Sequence, residues 1–162
     1  MDALELKKLS KKIIIEAGNK GLSIASVESC TGGLISSSLT SVPGSSSVYD
    51  RGFITYSNQS KSDLLNIEMI LIKKYGAVSK EIAILMAEGA LNNSTADLSV
   101  SVTGVAGPGG GTIINPIGRV HMAIAKKNTL PKHFVFTFDN KGRDYIREST
   151  TFHALENILK AL

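Results

Sequence analysis

The chain contains few of the residues that form disulfides and zinc sites. Its 162 residues include one cysteine, three histidines and no tryptophan. A lone Cys30 excludes an intrachain disulfide, and histidines as widely spaced as His121, His133 and His153 fit no zinc-binding pattern. We therefore expect no structural metal and no cofactor.

Long apolar runs and strong net charge are also missing. Apolar runs such as Ile13-Ile14-Ile15 end after a few residues, whereas a membrane span needs about twenty. Asp2 and Glu5 stand where a signal peptide would be basic. The formal net charge is only +4, and the basic residues lie in dispersed pairs. These features favour a cytoplasmic protein with no membrane or nucleic-acid partner, and they are compatible with an anionic small molecule.

What is present is the composition of one folded domain. Hydrophobic residues make up 43% of the chain and charged residues 20%, which is too apolar a balance for intrinsic disorder. A chain of this length removes roughly two-thirds of its unfolded surface from water when it folds. No linker or internal repeat divides the sequence, so we expect residues 1–162 to form a single domain.

Apolar periodicity alternates along the chain between helical and strand spacing. Helices are predicted near the N-terminus, over 34–39, after a cap at Ser57 or Asn58, after a cap at Ser79, and over the segment from Tyr145 to Leu162. Strands are predicted at 22–27, 52–56, 98–102, 118–125 and 133–138. This alternation is typical of an α/β protein, and we expect a layered α/β/α sandwich around a mixed β-sheet.

Two glycine-rich turns, 29–33 and 103–111, each follow a predicted buried strand. In an open α/β sheet, ligands bind beyond the carboxyl ends of the strands, where glycines let backbone amides approach an anion. The hydroxyls of Ser29 and Thr31 would add donors to the first turn. Neither turn matches a P-loop or a dinucleotide-binding fingerprint, so ATPase and NAD-dehydrogenase functions are not expected. A phosphate or ribose pocket and a purely structural role both stay open.

The residues suited to nucleophilic chemistry are Cys30, a surplus of serines and threonines, and the pair Tyr56 and Lys61. Tyr56 is predicted at a strand end and Lys61 about one turn into the next helix, so both side chains could meet near the crevice. An ammonium lowers the pKa of a nearby phenol, and a desolvated lysine loses its own proton. Either group then serves as the base for a serine hydroxyl. An exposed lysine and a packed tyrosine are the alternative.

Several short motifs occur together over essentially the whole chain. They are Ala25-x-x-Glu28-Ser29-Cys30-Thr31-Gly32-Gly33, Gly44-Ser45-Ser46, Arg51-Gly52-Phe53-x-Thr55-Tyr56-Ser57-Asn58-x-x-Lys61, Gly76-Ala77-Val78-Ser79, Thr103-Gly104-x-Ala106-Gly107-Pro108-x-Gly110-Gly111 and Pro116-x-Gly118. In combination they resemble the C-terminal domain family of the competence- and damage-inducible protein CinA, whose enzymatic members are nicotinamide-nucleotide amidohydrolases. One departure is Asn115, because a lysine is common before that proline.

The resemblance implies a reaction and a site. The reaction is hydrolysis of the carboxamide of nicotinamide mononucleotide (NMN) to nicotinic acid mononucleotide and ammonia, in pyridine-nucleotide salvage. The nucleophile would be Ser46, activated by Tyr56 and Lys61. The substrate would be bound by Ser29, Thr31, Gly32, Thr103, Gly104 and Arg143. Arg143 suits a phosphate clamp because a guanidinium grips phosphate with two parallel hydrogen bonds. The resemblance also implies a homo-oligomer.

Two alternatives stay open at this point. Cys30 is a rival nucleophile for the same reaction, although small buried cysteines usually only pack. The chain is alternatively a catalytically silent member of the family that binds a nucleotide or a protein partner.

Overall fold

The computed structural model describes residues 3–162, which form an alternating series of helices and strands. In chain order they are α1 (Ala3–Asn19), β1 (Ile24–Glu28), α2 (Leu34–Thr40), a 3₁₀ turn (Ser45–Ser47), β2 (Tyr49–Ile54), α3 (Asn58–Leu65), α4 (Met69–Tyr75), α5 (Lys80–Asn92), β3 (Leu98–Gly104), β4 (Arg119–Lys126), β5 (Lys132–Thr137) and α6 (Arg143–Ala161). Within this range no helix is long and apolar enough to cross a membrane.

The strands form one mixed sheet in the order β2-β1-β3-β4-β5. Strands β2, β1 and β3 run parallel, and β4 and β5 are antiparallel to their neighbours. Helices α1, α2 and α6 pack together on one face of the sheet, while α5 covers the other face with α3 and α4 beside it. The predicted α/β/α sandwich with a mixed sheet is confirmed.

Local signals located most elements correctly. Ser57 caps α3 by accepting a hydrogen bond from the Ser60 amide, and Ser79 caps α5 in the same way. The strand predicted at 52–56 lies instead at Tyr49–Ile54, because pairing with β1 already begins at Tyr49. Helix α4 is absent from the predicted helices, because its four consecutive apolar residues, 69–72, show no helical period.

Hydroxyl groups on β3 fix the position of α5. Ser99 donates to the carbonyl oxygen of Ala87 at 2.6 Å, and Ser101 donates to that of Ala83 at 2.5 Å. The small alanines let the helix approach the strand closely enough for these bonds. They satisfy buried hydroxyls that would otherwise destabilise the fold, and they hold the residues before α5 at the carboxyl end of β3.

Replacing Gly89 with alanine should destabilise the protein, although alanine usually stabilises a helix interior by up to about 1 kcal/mol over glycine. A Cβ at this position would lie 2.8 Å from the carbonyl oxygen of Leu65. We expect the free energy of unfolding in urea to fall by roughly 1–3 kcal/mol, as in other overpacked sites. Gly18→Ala is the matched control, because its nearest contact is Val48 Cγ2 at 3.6 Å. Equal responses of the two variants would contradict the prediction.

Candidate active site

A cavity of about 210 Å³ opens where the parallel strands end. Its walls come from five segments of the chain, namely Ser29 and Cys30 after β1, Tyr56 and Lys61 after β2, Ala77 and Val78 before α5, Thr103, Gly104 and Ala106 around the end of β3, and Arg143 at the start of α6. In an α/β sheet, ligands are expected at the carboxyl ends of the parallel strands. A larger groove of about 350 Å³ lies between α1 and α2, but its one lysine, Lys7, is solvent-exposed.

Lys61 is the most unusual residue of the cavity, because only 1% of it is exposed to solvent. Its Nζ donates to the carbonyl oxygen of Thr55 at 2.6 Å and lies 3.4 Å from Ser29 Oγ. Burial penalises the charged ammonium and lowers the pKa of Lys61 to about 8. A neutral amine is therefore available near pH 8, within reach of a serine hydroxyl.

Ser29 itself stands on a turn that the buried carboxylate of Glu28 organises. This carboxylate reaches forward to the start of α2, where the first N–H groups of a helix lack internal partners. Gly33, the N-cap of α2, has no side chain that could cap them. Oε2 accepts from Thr31 Oγ1 (2.7 Å), Gly33 N (2.9 Å) and Ile35 N (3.1 Å), and Oε1 accepts from Ser36 N (2.8 Å) and Ser36 Oγ (2.7 Å).

Thr31 and Gly32 shape this turn and do not line the cavity. The buried Thr31 hydroxyl gives its only proton to Glu28, and the Thr31 carbonyl accepts from Arg147 Nη2 at 2.9 Å. Gly32 has a positive φ of 61° and donates its N–H to the Ser29 carbonyl at 3.2 Å. Both residues thus have hydrogen bonds that hold the turn, and their expected substrate contact stays a prediction.

Thr103 and Gly104 form the opposite wall, as expected from the second glycine-rich turn. The Thr103 hydroxyl donates to the carbonyl oxygen of Ala77 at 2.7 Å, so it faces a ligand as an acceptor only. A Cβ on Gly104 would lie 2.6 Å from Val120 Cγ2 and 2.7 Å from the carbonyl oxygen of Arg119. Glycine is required here because β4 packs directly against the strand backbone.

Tyr56 and Arg143 meet across the mouth of the cavity. Arg143 Nη2 donates to Tyr56 Oη at 2.9 Å, and Arg143 Nη1 donates to the carbonyl oxygen of Gly107 at 2.7 Å. Tyr56 is 61% exposed, and no hydrogen bond joins it to Lys61 in the described part of the chain. Of the two residues expected to activate the nucleophile, Lys61 is buried and Tyr56 is exposed. Three of the five guanidinium N–H groups remain for a ligand.

Ser46, the nucleophile implied by the resemblance, lies at the opposite end of strand β2 from the cavity. It is exposed in the turn that precedes β2, whereas Tyr56 and Lys61 follow that strand. Strand β2 has six residues, and at about 3.3 Å per residue its two ends are roughly 20 Å apart. Ser46 is therefore not among the residues that line this cavity, and its role as nucleophile stays a prediction. The hydroxyl beside Lys61 Nζ is that of Ser29, which the resemblance implied as a substrate-binding residue and not as the nucleophile.

Cys30 lines the cavity, but its thiol is poorly nucleophilic. Burial raises the pKa of its thiol to about 12, and the charge of Glu28 acts in the same direction. The reactive thiolate is therefore nearly absent at neutral pH, which argues against the rival nucleophile. Across residues 3–162, no group of three or more His, Cys, Asp or Glu side chains is placed to hold a metal ion.

The chain matches the CinA C-terminal domain family over residues 6–162. A competence-damage inducible protein of Caldicellulosiruptor bescii is 50% identical over 141 residues, which are 87% of this chain and 34% of that protein. A CinA-like protein of Akkermansia muciniphila is 39% identical over 153 residues, which are 94% of this chain and 37% of that protein. The chain thus spans about one third of the length of these relatives.

Solved structures give the same result. A competence/damage inducible protein from Agrobacterium tumefaciens is 42% identical, with a TM-score of 0.94 and coverage of 96% of this chain and 94% of the other. A CinA superfamily protein from Escherichia coli is 28% identical, with a TM-score of 0.93 and coverage of 100% and 94%. The fold of this chain is therefore shared with experimentally solved structures over nearly their whole length.

The native protein should resist thiol reagents at Cys30. Because burial holds the pKa of this thiol at about 12, iodoacetamide at pH 8 should alkylate it only after unfolding in urea. Mass spectrometry of the native and the unfolded protein measures the two rates. Rapid alkylation of the native protein would contradict the assignment and restore Cys30 as a candidate nucleophile.

Proposed function

Because the chain belongs to the CinA C-terminal domain family, we propose that it hydrolyses the carboxamide of nicotinamide mononucleotide, giving nicotinic acid mononucleotide and ammonia. The observation that carries the proposal is the buried Lys61 amine 3.4 Å from Ser29 Oγ inside the cavity. A serine beside a desolvated lysine is a sufficient nucleophile for an amide carbonyl. Ser29 thereby replaces Ser46 in the catalytic role.

In the first half of the reaction, the neutral amine of Lys61 takes the proton of Ser29 as Oγ attacks the carboxamide carbon. The resulting ammonium then gives that proton to the departing nitrogen, and ammonia leaves. Ser29 now carries the acyl group as an ester. The carbonyl oxygen of Thr55, 2.6 Å from Nζ, keeps the amine directed at the serine during both transfers.

In the second half, water attacks the ester carbon and Lys61 accepts its proton. The C–Oγ bond breaks, Ser29 regains its hydroxyl, and the product leaves as a carboxylate. The tetrahedral intermediates need N–H donors for the oxyanion. Three of the five amides in turn 29–33 already donate to other groups, so the N–H groups of Cys30 and Thr31 are the donors that this turn can offer.

The cavity suits a flat ring with a phosphate outside it. Ala77, Val78 and Ala106 give it an apolar wall. Its 210 Å³ is smaller than the roughly 300–1,000 Å³ of pockets that enclose a whole ligand. We place the nicotinamide ring inside and the ribose phosphate at the mouth, where Arg143 has N–H groups to spare for a phosphate.

Ser29→Ala should lower the rate of ammonia release from NMN by about 10³-fold or more, since loss of a nucleophile removes the covalent route. Ser46→Ala is the matched control and should keep the wild-type rate, because Ser46 is exposed at the opposite edge. Ammonia and nicotinic acid mononucleotide are measured with folded protein. A Ser29→Ala rate within tenfold of wild type would overturn the mechanism. Calorimetric binding of NMN by the wild type without turnover would favour the silent binding module.

The pH dependence should report Lys61. Its lowered pKa of about 8 means that the amine is protonated and inactive as a base below this pH. The value of kcat/KM for NMN should therefore rise through pH 8 and level off above it, with about one tenth of the plateau at pH 7. Lys61→Arg should be inactive at every pH, because arginine keeps its proton. A profile that is flat between pH 6 and 9.5 would exclude Lys61 as the base.

A further inference from the structure

Three hydroxyl groups meet beneath the edge strand β2, outside the cavity. Ser26 Oγ lies 2.7 Å from Tyr49 Oη and 3.0 Å from Ser36 Oγ, and Tyr49 Oη donates to Ser36 Oγ at 2.8 Å. A Cβ on Gly52 would come within 2.5 Å of both Ser36 Oγ and Tyr49 Oη. The bare glycine on β2 is what leaves room for the cluster.

The hydrogen bonds of this cluster lead to the Glu28 carboxylate, and their donors all point towards it. The single proton of Ser36 goes to Glu28 Oε1 at 2.7 Å, so Ser36 can only accept from its other neighbours. Tyr49 supplies its proton to Ser36, and Ser26 is left to donate to Tyr49 or Ser36. Hydrogen bonds that point the same way towards a carboxylate polarise and strengthen one another.

The main chain at Glu28 is joined to both reacting groups. Ser29 follows it directly, and the Ser29 amide donates to the Val102 carbonyl at 3.1 Å. The Glu28 carbonyl accepts from Thr55 N at 2.9 Å, and the Thr55 carbonyl in turn accepts from Lys61 Nζ. These bonds fix the strand end, while the Glu28 side chain fixes the turn that comes after Ser29. The side chain is not part of the cavity wall.

We propose that Glu28 is a positioning residue for Ser29, and that the hydroxyl chain from Tyr49 through Ser36 holds its carboxylate in place. The inference rests on the proposed function only in taking Ser29 as the nucleophile, and it is independent of the substrate. Glutamine cannot replace Glu28, because five groups donate hydrogen bonds to the two carboxylate oxygens. An amide NH₂ in place of either oxygen would face at least two of these donors.

The test measures the reactivity of Ser29 without its substrate. A fluorophosphonate phosphonylates activated serines as its fluoride leaves, and the second-order rate of labelling at Ser29 is followed by mass spectrometry on the full chain. Compared with wild type, we expect labelling about 100-fold slower in Glu28→Gln, about tenfold slower in Ser36→Ala and about threefold slower in Tyr49→Phe. Where labelling remains measurable, its apparent pKa near 8 should not move, because none of the three substituted side chains is among the causes of the lowered pKa of Lys61.

Ser38→Ala is the matched control. Ser38 lies on the same helix as Ser36, but its hydroxyl donates to the Leu34 carbonyl at 2.7 Å and is not joined to Glu28. Its labelling rate should equal that of wild type. All rates are taken well below the thermal midpoint of each variant, with circular dichroism as the measure of folding, so that a merely stabilising role would leave them unchanged.

Wild-type labelling rates in folded Glu28→Gln would overturn the inference. If that variant does not fold, Ser36→Ala and Tyr49→Phe decide, and wild-type rates in both would overturn it equally. Labelling of wild-type Ser29 without turnover of NMN would show that the substrate is wrong while the positioning role stands or falls on the variant rates. Absence of any labelling at wild-type Ser29 would remove the nucleophile and the inference together.

Discussion

The site depends on a buried carboxylate that the protein itself solvates. Glu28 is fully buried, and five N–H and O–H groups replace the water it has lost. A buried charge without such donors would be strongly destabilising. Because these donors belong to the turn and to the start of α2, satisfying the carboxylate also fixes the path of the chain immediately after Ser29.

Lys61, at the same end of the parallel strands, is also buried but lacks a comparable set of hydrogen-bond partners. It is as deeply buried, yet its described partners are one carbonyl oxygen and one hydroxyl, and no carboxylate is bonded to it. Burial is therefore not compensated, and the pKa of the amine falls to about 8. Burial of a lysine in this way costs stability, and a strongly perturbed pKa of this kind is typical of functional sites. One buried ionisable group is held for structure and the other is left ready for proton transfer.

The mouth of the cavity differs from these buried groups, since the side chains of Tyr56 and Arg143 are exposed. Arg143 links Tyr56 on one side to Gly107 on the other, so three distant parts of the sequence converge on the entrance. The bond to Gly107 is partly buried and anchors the guanidinium, whereas the bond to Tyr56 is exposed and open to exchange with solvent. They suit recognition of an anionic group, whereas the apolar walls behind them suit the neutral part of a substrate.

Local sequence signals determined the layered fold, the caps at Ser57 and Ser79, and the two glycine-rich turns, because hydrophobic period and turn chemistry are properties of neighbouring residues. They also predicted that Ser29, Tyr56, Lys61 and Thr103 lie near one crevice, since parallel strands end together, whereas Arg143 was expected there only from the resemblance. The roles within that set were decided only in three dimensions. Ser46 and Ser29 are equally plausible hydroxyls in one dimension, and the parallel pairing of β1 with β2 is what puts one beside Lys61 and the other across the sheet. The contact of the buried Lys61 with Ser29 and the hydrogen bond from Arg143 to Tyr56 likewise join residues far apart along the chain.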